Sequence, residues 1–430
     1  MNLLTFLGAN PNYSPTTYTF EGQQHTTQYA PAATAHFYRP EKTLVVVTEK
    51  ARSMHYESLA DEIAIVTQPV EVVIPDGHSE ADLWAIFAEL TNHVAEGDEL
   101  VVDITYGFRS LPFLSFLAVV FLRMARQVKV HRVLYGAWEA RHGDLPTDQT
   151  PVFDLTPFLT LLDWTIATDR FTRFGDATDL AELLRQGIPP GPQMRDDLQA
   201  REIGKTLKGA ANAMDDVSLA LRLTRPLETM MASDALVKML QQASSIITQK
   251  TPPFGLLAKQ MSLAYEPLAQ IDPLQEQNRA RSLAVQLDLI NWYLDKGQVV
   301  QALTLAREWL VSVLVLNFEL ESLVDYDRCR KPVENTLNNE VERHKPKPRH
   351  PLQPAMDDQL RALPNHREIG KLWGKLTELR NDIAHVGMNT HPKKADSLRK
   401  EAQDLLPRLV ALAEALQVID KAEVNSEANP

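Results

Sequence analysis

Leu44-Val45-Val46-Val47-Thr48 is a continuous apolar, β-branched run, a pattern suited to a strand covered on both faces. Comparable short runs recur at Leu3–Leu7, Val70–Ile74, Leu100–Ile104 and Val128–Tyr135. Between them, Leu83, Ile86, Phe87 and Leu90 repeat at three and four, and Leu111 to Arg126 reads as a second helix. Gly8 stops the first run, and Pro75-Asp76-Gly77 is a strong turn signal. Strands alternating with helices predict βαβ units and a mainly parallel, Rossmann-like α/β sheet over residues 1–165.

From Pro157 onward the β-branched runs almost vanish and 3.6-residue patterns take over. Val299 to Leu320 carries Leu303, Leu310, Leu314 and Phe318 around a near-continuous apolar middle, which predicts deep burial. Lys371 to Ala384 bears a single stripe of Leu372, Leu376, Leu379 and Ile383, and Leu398 to Ile419 places Leu405, Leu409 and Leu416 on one face. Proline-rich breakers at 188–192, 251–255 and 345–349 divide this half. The expected organisation is an α/β domain over 1–165, a helical connector over 166–295 and an all-α domain over 296–430.

The composition narrows the class. With 44% hydrophobic and 23% charged residues the chain is ordinary for a folded protein. Its single cysteine, Cys329, excludes an intramolecular disulfide framework and fits a reducing compartment. The N-terminus lacks a basic region and a long apolar stretch, and no window approaches the roughly eighteen continuous apolar residues of a membrane span. A cytoplasmic protein without a membrane partner is expected. The net charge of −12 argues against a protein that coats nucleic acid, although a local basic patch would suffice for brief contact with RNA.

In the first half the informative segment is Asp103-Ile104-Thr105-Tyr106-Gly107-Phe108-Arg109-Ser110-Leu111-Pro112. A strand ends, Gly107 permits close backbone approach, Arg109 adds a fixed charge, and Ser110 or a neighbour caps a helix whose first turn holds Pro112. Ligands of open α/β sheets bind at the carboxyl ends of strands, and helix N-termini attract phosphates. Gly8, Asn10 and Pro11 after the first strand form a second candidate wall, and Thr48 with Lys50 a third. The alternative is a set of ordinary βα turns. Neither GxGxxG nor GxxxxGK[ST] is present, which disfavours a dinucleotide site and a P-loop.

Along the whole chain, Arg followed by His five positions later occurs at Arg126/His131, Arg361/His366 and Arg380/His385. The first straddles a helix end, and the second contains Pro364 and breaks any helix. Only Arg380-Asn381-Asp382-Ile383-Ala384-His385 lies on a strong amphipathic helix. At 100° per residue Arg380 and His385 flank the apolar stripe on opposite sides, so one helix does not bring them together. Two such helices about a two-fold axis would. Histidine moves protons near neutrality, and a guanidinium grips phosphate oxygens as charge develops. Asn381 and Asp382 are spaced to orient His385. The competing reading is a solvated helix face. Arg343, Lys345, Lys347 and Arg349 make up the most basic stretch, either an RNA-backbone contact beside the cleft or a solvated proline-rich loop. No HExxH or cysteine-rich zinc pattern competes with these residues, so no metal site is expected.

Two resemblances sharpen this reading. Arg380 to His385, late in an all-α region, resembles the Arg-x4-6-His motif of HEPN ribonucleases, including the polar residue after the arginine. Asp103 to Pro112 closely resembles the D-[IL]-T-H-G-[FI]-R-S-x-P signature of CARF domains in CRISPR-associated accessory proteins, and Pro151 to Phe158 is similar to a second stretch of that family. The order, CARF then HEPN, is that of type III CRISPR ancillary ribonucleases. The resemblance implies a homodimer or higher assembly, in which a cyclic oligoadenylate, expected to be the cyclic tetra-adenylate, binds across Thr105, Tyr106, Gly107, Phe108, Arg109 and Ser110. It further implies metal-independent cleavage of single-stranded RNA by Arg380, Asn381, Asp382 and His385, with no cofactor required. Tyr106 departs from the pattern, standing where many relatives have His. Two alternatives stay open: a non-catalytic sensor that only dimerises, and a ring nuclease that degrades the activator within the CARF domain.

Overall fold

The computed structural model describes residues 1–106, 111–141, 149–250, 254–347, 351–388 and 390–418. The chain divides into two compact units, Met1–Leu162 and Asp163–Pro430.

The N-terminal unit is built on eight strands: β1 Asn2–Leu7, β2 Thr16–Phe20, β3 Gln23–Thr27, β4 Lys42–Thr48, β5 Gln68–Ile74, β6 Glu99–Asp103, β7 Lys129–Gly136 and β8 Gln149–Asp154. They lie in the order β3-β2-β8-β7-β6-β1-β4-β5. The pairs β5·β4, β4·β1, β1·β6 and β6·β7 are parallel. Counted along the chain, these five strands stand in the order 3-2-1-4-5 of a doubly wound sheet. The continuous apolar runs follow from coverage of both faces. Leu4, Phe6, Leu44, Val46 and Val102 pack beneath the helices Glu80–Asn92 and Leu111–Ala125. Leu3, Leu7, Val45, Val47 and Val101 face the helices Ala30–Tyr38 and Glu57–Ala64. Successive residues of one strand thus serve opposite layers.

The expectation of a mainly parallel sheet holds for this five-stranded centre and needs correction at one edge. Strand β8 runs antiparallel to β7, and β2 joins β8 in parallel while forming an antiparallel hairpin with β3. The hairpin turns at Glu21 and Gly22, both at positive φ, as a tight turn between twisted strands requires. Its threonines disguised it: Thr16, Tyr18 and Phe20 are buried in alternation, so only half of β2 is apolar in composition.

The C-terminal unit is helical throughout its described residues, and one apolar core runs from Trp164 to Val418. Residues on both sides of position 295 contribute to that core, so the expected connector and the expected all-α domain share it. Val299–Asn317 is the central helix, and among the described helices it alone is long and apolar enough to cross a membrane. Its apolar side chains are instead consumed by the core. Trp309 is fully buried there, and its indole N–H donates to the Leu283 carbonyl at 2.8 Å. Against this helix lies the motif helix, His366–Ala384, which buries Ile369, Leu372, Trp373, Leu376 and Leu379. Gly370 allows the neighbouring helix Lys331–Arg343 to come close, since a Cβ there would stand 2.8 Å from Glu340 Cγ.

Removing the largest wholly buried side chain tests this core. Trp309→Ala is expected to cost about 3–5 kcal/mol, read as a lowered urea midpoint for loss of helical signal.

Candidate functional site

The topological switch of the doubly wound sheet falls between β1 and β6, so the loops leaving their carboxyl ends form the crevice. At its base is Asp103, the last residue of β6, which is almost wholly buried. One carboxylate oxygen accepts from the Thr5 hydroxyl on β1 at 2.8 Å. The other accepts from the Thr105 amide at 3.0 Å and from the Thr105 hydroxyl. The Thr105 hydroxyl oxygen in turn accepts from the Gly136 amide at the end of β7, at 2.8 Å. A single carboxylate therefore ties three neighbouring strand ends. Burial raises the Asp103 carboxyl above the ordinary aspartate value, against the lowering effect of bonds from Thr105, Thr5 and Thr34.

Above this base sits an aromatic cluster. Tyr106 packs at a tilt against Tyr13 at 4.6 Å, and Tyr13 meets His55 edge-on at 4.9 Å and Tyr29 at 5.7 Å. The Tyr106 hydroxyl donates to the Gln28 carbonyl at 3.0 Å, accepts from the Ala30 amide at 3.2 Å, and lies 3.2 Å from the Tyr18 hydroxyl. His55 Nε2 is 2.8 Å from the Asn10 carbonyl oxygen. Burial pushes the phenols of Tyr13 and Tyr106 well above the usual tyrosine value and that of Tyr18 up to about 12. His55 belongs to a π-helical turn, Arg52–Tyr56, inserted in the helix after β4. Such turns are frequent at functional sites. A polar hollow of about 390 Å³ opens over that turn.

The structure brings several sequence-derived residues to this crevice. Gly8 lies under Tyr13, where a Cβ would stand 2.8 Å from the hydroxyl and require the tyrosine to shift. Asn10 and Pro11 are exposed at the end of β1, and Lys50 is exposed after β4. Thr48 is buried, and its hydroxyl caps the following helix by accepting from the Ala51 amide at 3.3 Å. Thr105 and Tyr106 are half-buried, with the polar groups described above turned into the protein. Gly107, Phe108, Arg109 and Ser110 lie outside the described residues. Tyr13, Tyr18, Tyr29 and His55 escaped sequence reasoning because they are scattered in sequence and carry no motif.

The second candidate stands at the far end of the motif helix. Ala384 is its last residue and His385 its C-cap. The Gly387 amide bonds to the Asp382 carbonyl at 3.1 Å and the Val386 amide to the Ile383 carbonyl at 2.9 Å, a Schellman closure. Val386 occupies the left-handed position at φ 55°, which is costly for a β-branched residue. Arg380, Asn381 and His385 are exposed, and Asp382 is half-buried. The link between Asn381 and His385 is a backbone bond at 3.0 Å. Arg380 and His385 make no side-chain hydrogen bond or ion pair with the described residues, and they point about 140° apart on the helix. Beyond them, Lys393 reaches back to Glu378 at 3.0 Å and to Glu401 at 2.9 Å, pinning the chain that follows.

The basic stretch sits at the opposite end of that helix. Arg343 pairs with Asp357 and Lys345 with Glu342, while Lys347 is exposed without an ion pair among the described residues. Arg349 lies outside the described residues. Glu340, buried behind them, accepts from His344 and His366 at 3.0 Å each. Burial alone would raise its carboxyl, but the bonds from His366 and His344 hold it below the ordinary glutamate value. The basic turn therefore lies beside His366, a helix length from His385.

Two outcomes test the crevice. Tyr106→Phe leaves the Gln28 carbonyl and the Ala30 amide unpaired, and without any ligand should lower unfolding free energy by about 1–3 kcal/mol; unchanged urea unfolding would free Tyr106 of this structural duty. For Asp103 the folded carboxyl titrates above the unfolded value near about 3.9, so the native state holds the extra proton. Its contribution to stability is thus present at low pH and lost as pH rises through the raised folded value. The stability difference between wild type and Asp103→Asn should fall over that window and flatten above it, by urea unfolding at a series of pH values.

Comparison with known proteins bears on the first crevice. Residues 2–138 match the family model described as CRISPR system endoribonuclease Csx1, CARF domain. Over 115 residues the chain is 30% identical to the CRISPR-associated protein MJ1674 of Methanocaldococcus jannaschii, a stretch covering 26% of this chain and 18% of that protein. The chain thus spans under a fifth of that relative's length. The residues matched by the family model all lie in the N-terminal unit, and that Rossmann-like unit is similar to the CARF domain of Csx1.

Proposed function

We propose that the chain is a metal-independent ribonuclease of type III CRISPR defence, switched by a cyclic oligoadenylate. The observation that carries the reading is the combination of a CARF-like domain with exposed Arg380 and His385, unpaired among the described residues, on an otherwise well-packed helix. The first unit supplies a crevice at the switch point of a doubly wound sheet, walled by neutral tyrosines and His55, where adenine rings stack and backbone amides meet phosphates. We take the ligand to be the cyclic tetra-adenylate, held by Gly8, Asn10, Pro11, Lys50 and the segment from Thr105 to Ser110. The helical unit corresponds on this reading to a HEPN domain.

Cleavage requires a proton to leave the ribose 2′-hydroxyl as its oxygen attacks the neighbouring phosphorus, and another to reach the departing 5′-oxygen. The products are a 2′,3′-cyclic phosphate and a free 5′-hydroxyl. His385 moves the protons and Arg380 holds the charged phosphoryl oxygens. Because the two side chains diverge on one helix, a complete site takes residues from two copies in a homodimer. The activator acts by binding the competent arrangement more tightly than the idle one.

A labelled single-stranded RNA incubated with EDTA, with and without cyclic tetra-adenylate, tests the proposal. Activator-dependent cleavage should fall by on the order of 10²–10⁴ in His385→Ala, with a comparable loss in Arg380→Ala. Equal cleavage by His385→Ala and wild type would refute the assignment. A non-catalytic sensor is the second reading, favoured by the confinement of the family match to residues 2–138. Tight binding of the activator with no loss of RNA would establish it.

A further inference from the structure

The motif helix has three acidic residues. Glu368 is engaged by Arg408 at 2.6 Å and Glu378 by Lys393 at 3.0 Å, while Asp382 is half-buried in the last turn. Arg367 and Lys371 are exposed and form no ion pair with any described residue. They are not scattered. His385 lies 18 residues beyond Arg367, which at about 100° per residue is roughly five full turns and the same azimuth. Lys371 departs from that line by only about 40°. Glu378 lies within about 20° of the same line, and Lys375 at 3.5 Å and Lys393 at 3.0 Å offset its charge. The buried residues Ile369, Leu372, Leu376 and Leu379 occupy the opposite face.

At the start of this line stands the basic turn. His344, with a side chain 55% exposed, shares the Glu340 carboxylate with His366. Lys347 follows it, exposed. At about 1.5 Å per residue the line from Arg367 to His385 measures about 27 Å, enough for several nucleotides of an extended strand. In a chain of net charge −12, Arg367 and Lys371, without ion pairs among the described residues, create a local positive field at the start of this face where the whole-protein charge would repel a polyanion.

We infer that Arg367 and Lys371 form a track for the sugar–phosphate backbone of single-stranded RNA, entered at Lys347 and His344 and ending at His385. The inference rests on the ribonuclease reading and adds to it a binding surface remote from the reacting phosphate. It also replaces Arg343 and Lys345, which their carboxylate partners neutralise, as the backbone contacts.

The experiment measures equilibrium binding of a fluorescein-labelled 20-nucleotide single-stranded RNA to full-length His385→Ala protein over a series of salt concentrations. Adding Arg367→Glu and Lys371→Glu should weaken binding at least tenfold. It should also make the slope of log K against log salt shallower by about 1.4, the loss of two single-strand phosphate contacts. Arg367→Gln with Lys371→Gln, which keeps a good helix-forming surface, should shift the slope in the same direction. Lys205→Glu with Lys208→Glu, an equal charge change on an exposed face of another helix, should leave the slope in place. If the track variants behave like the Lys205/Lys208 control, the track is wrong while the ribonuclease reading stands. If the His385→Ala protein binds no RNA and wild type cleaves none, the ribonuclease reading falls and the track falls with it.

Discussion

The Asp103 carboxylate is the constraint on which the N-terminal crevice depends. A buried carboxylate without donors would be costly, and here Thr5, Thr105 and, through Thr105, the Gly136 amide converge on it. Each donor or relay belongs to a different strand end, so satisfying one charge aligns β1, β6 and β7 at the point where the sheet reverses its order. The segment after Thr105 leaves from a fixed base. Tyr106 then carries the alignment outward, because its hydroxyl is saturated by Gln28, Ala30 and Tyr18. Tyr106 thus has a physical role of its own: it joins the end of β6 to the start of the helix Ala30–Tyr38.

A different economy governs the helical unit. Buried Glu340 ties His366 at the start of the motif helix to the helix Lys331–Arg343, and beyond that first turn shape sets the register. Trp373 donates to Asn338 Oδ1 at 2.8 Å while the Arg307 guanidinium covers its ring, and Gly370 admits Glu340 at close range. With the apolar face held this firmly, the opposite face is committed to solvent over five turns. The last turn ends in a Schellman closure with valine at the left-handed position, which holds His385 outside the core at some local cost.

Much of the first unit was legible in sequence because a doubly covered parallel strand leaves a continuous apolar run. Leu3–Leu7, Leu44–Thr48, Leu100–Val102 and Val128–Tyr135 declare themselves that way, and the run from Asp103 to Pro112 carries a signature strong enough to name the domain. The hairpin of β2 and β3 was not legible, since threonine and glutamine serve an edge as well as they serve a loop. The aromatic wall was not legible either. Tyr13, Tyr29 and His55 come from separate loops and have no spacing in common. In the second unit, periodicity gave the helices and, at 100° per residue, assigned Arg380 and His385 to diverging faces. It could not tell that the basic turn lies beside His366 rather than beside His385, because that depends on how the helix Lys331–Arg343 packs.

The amino-acid sequence by itself determined the class of each half, the strand runs of the parallel centre and the azimuth of every residue on the motif helix. These follow from periods of two and 3.6, which are local properties of the backbone. Only the tertiary structure decided which polar groups are spent. Thr48, Tyr106, Arg343 and Lys345 look available in the sequence, yet each is taken by an intramolecular partner. Arg367, Lys371, Arg380 and His385 are no more conspicuous as residues, yet packing leaves them in solvent without such partners among the described residues. Pairing depends on long-range contacts between elements, and no local pattern records it.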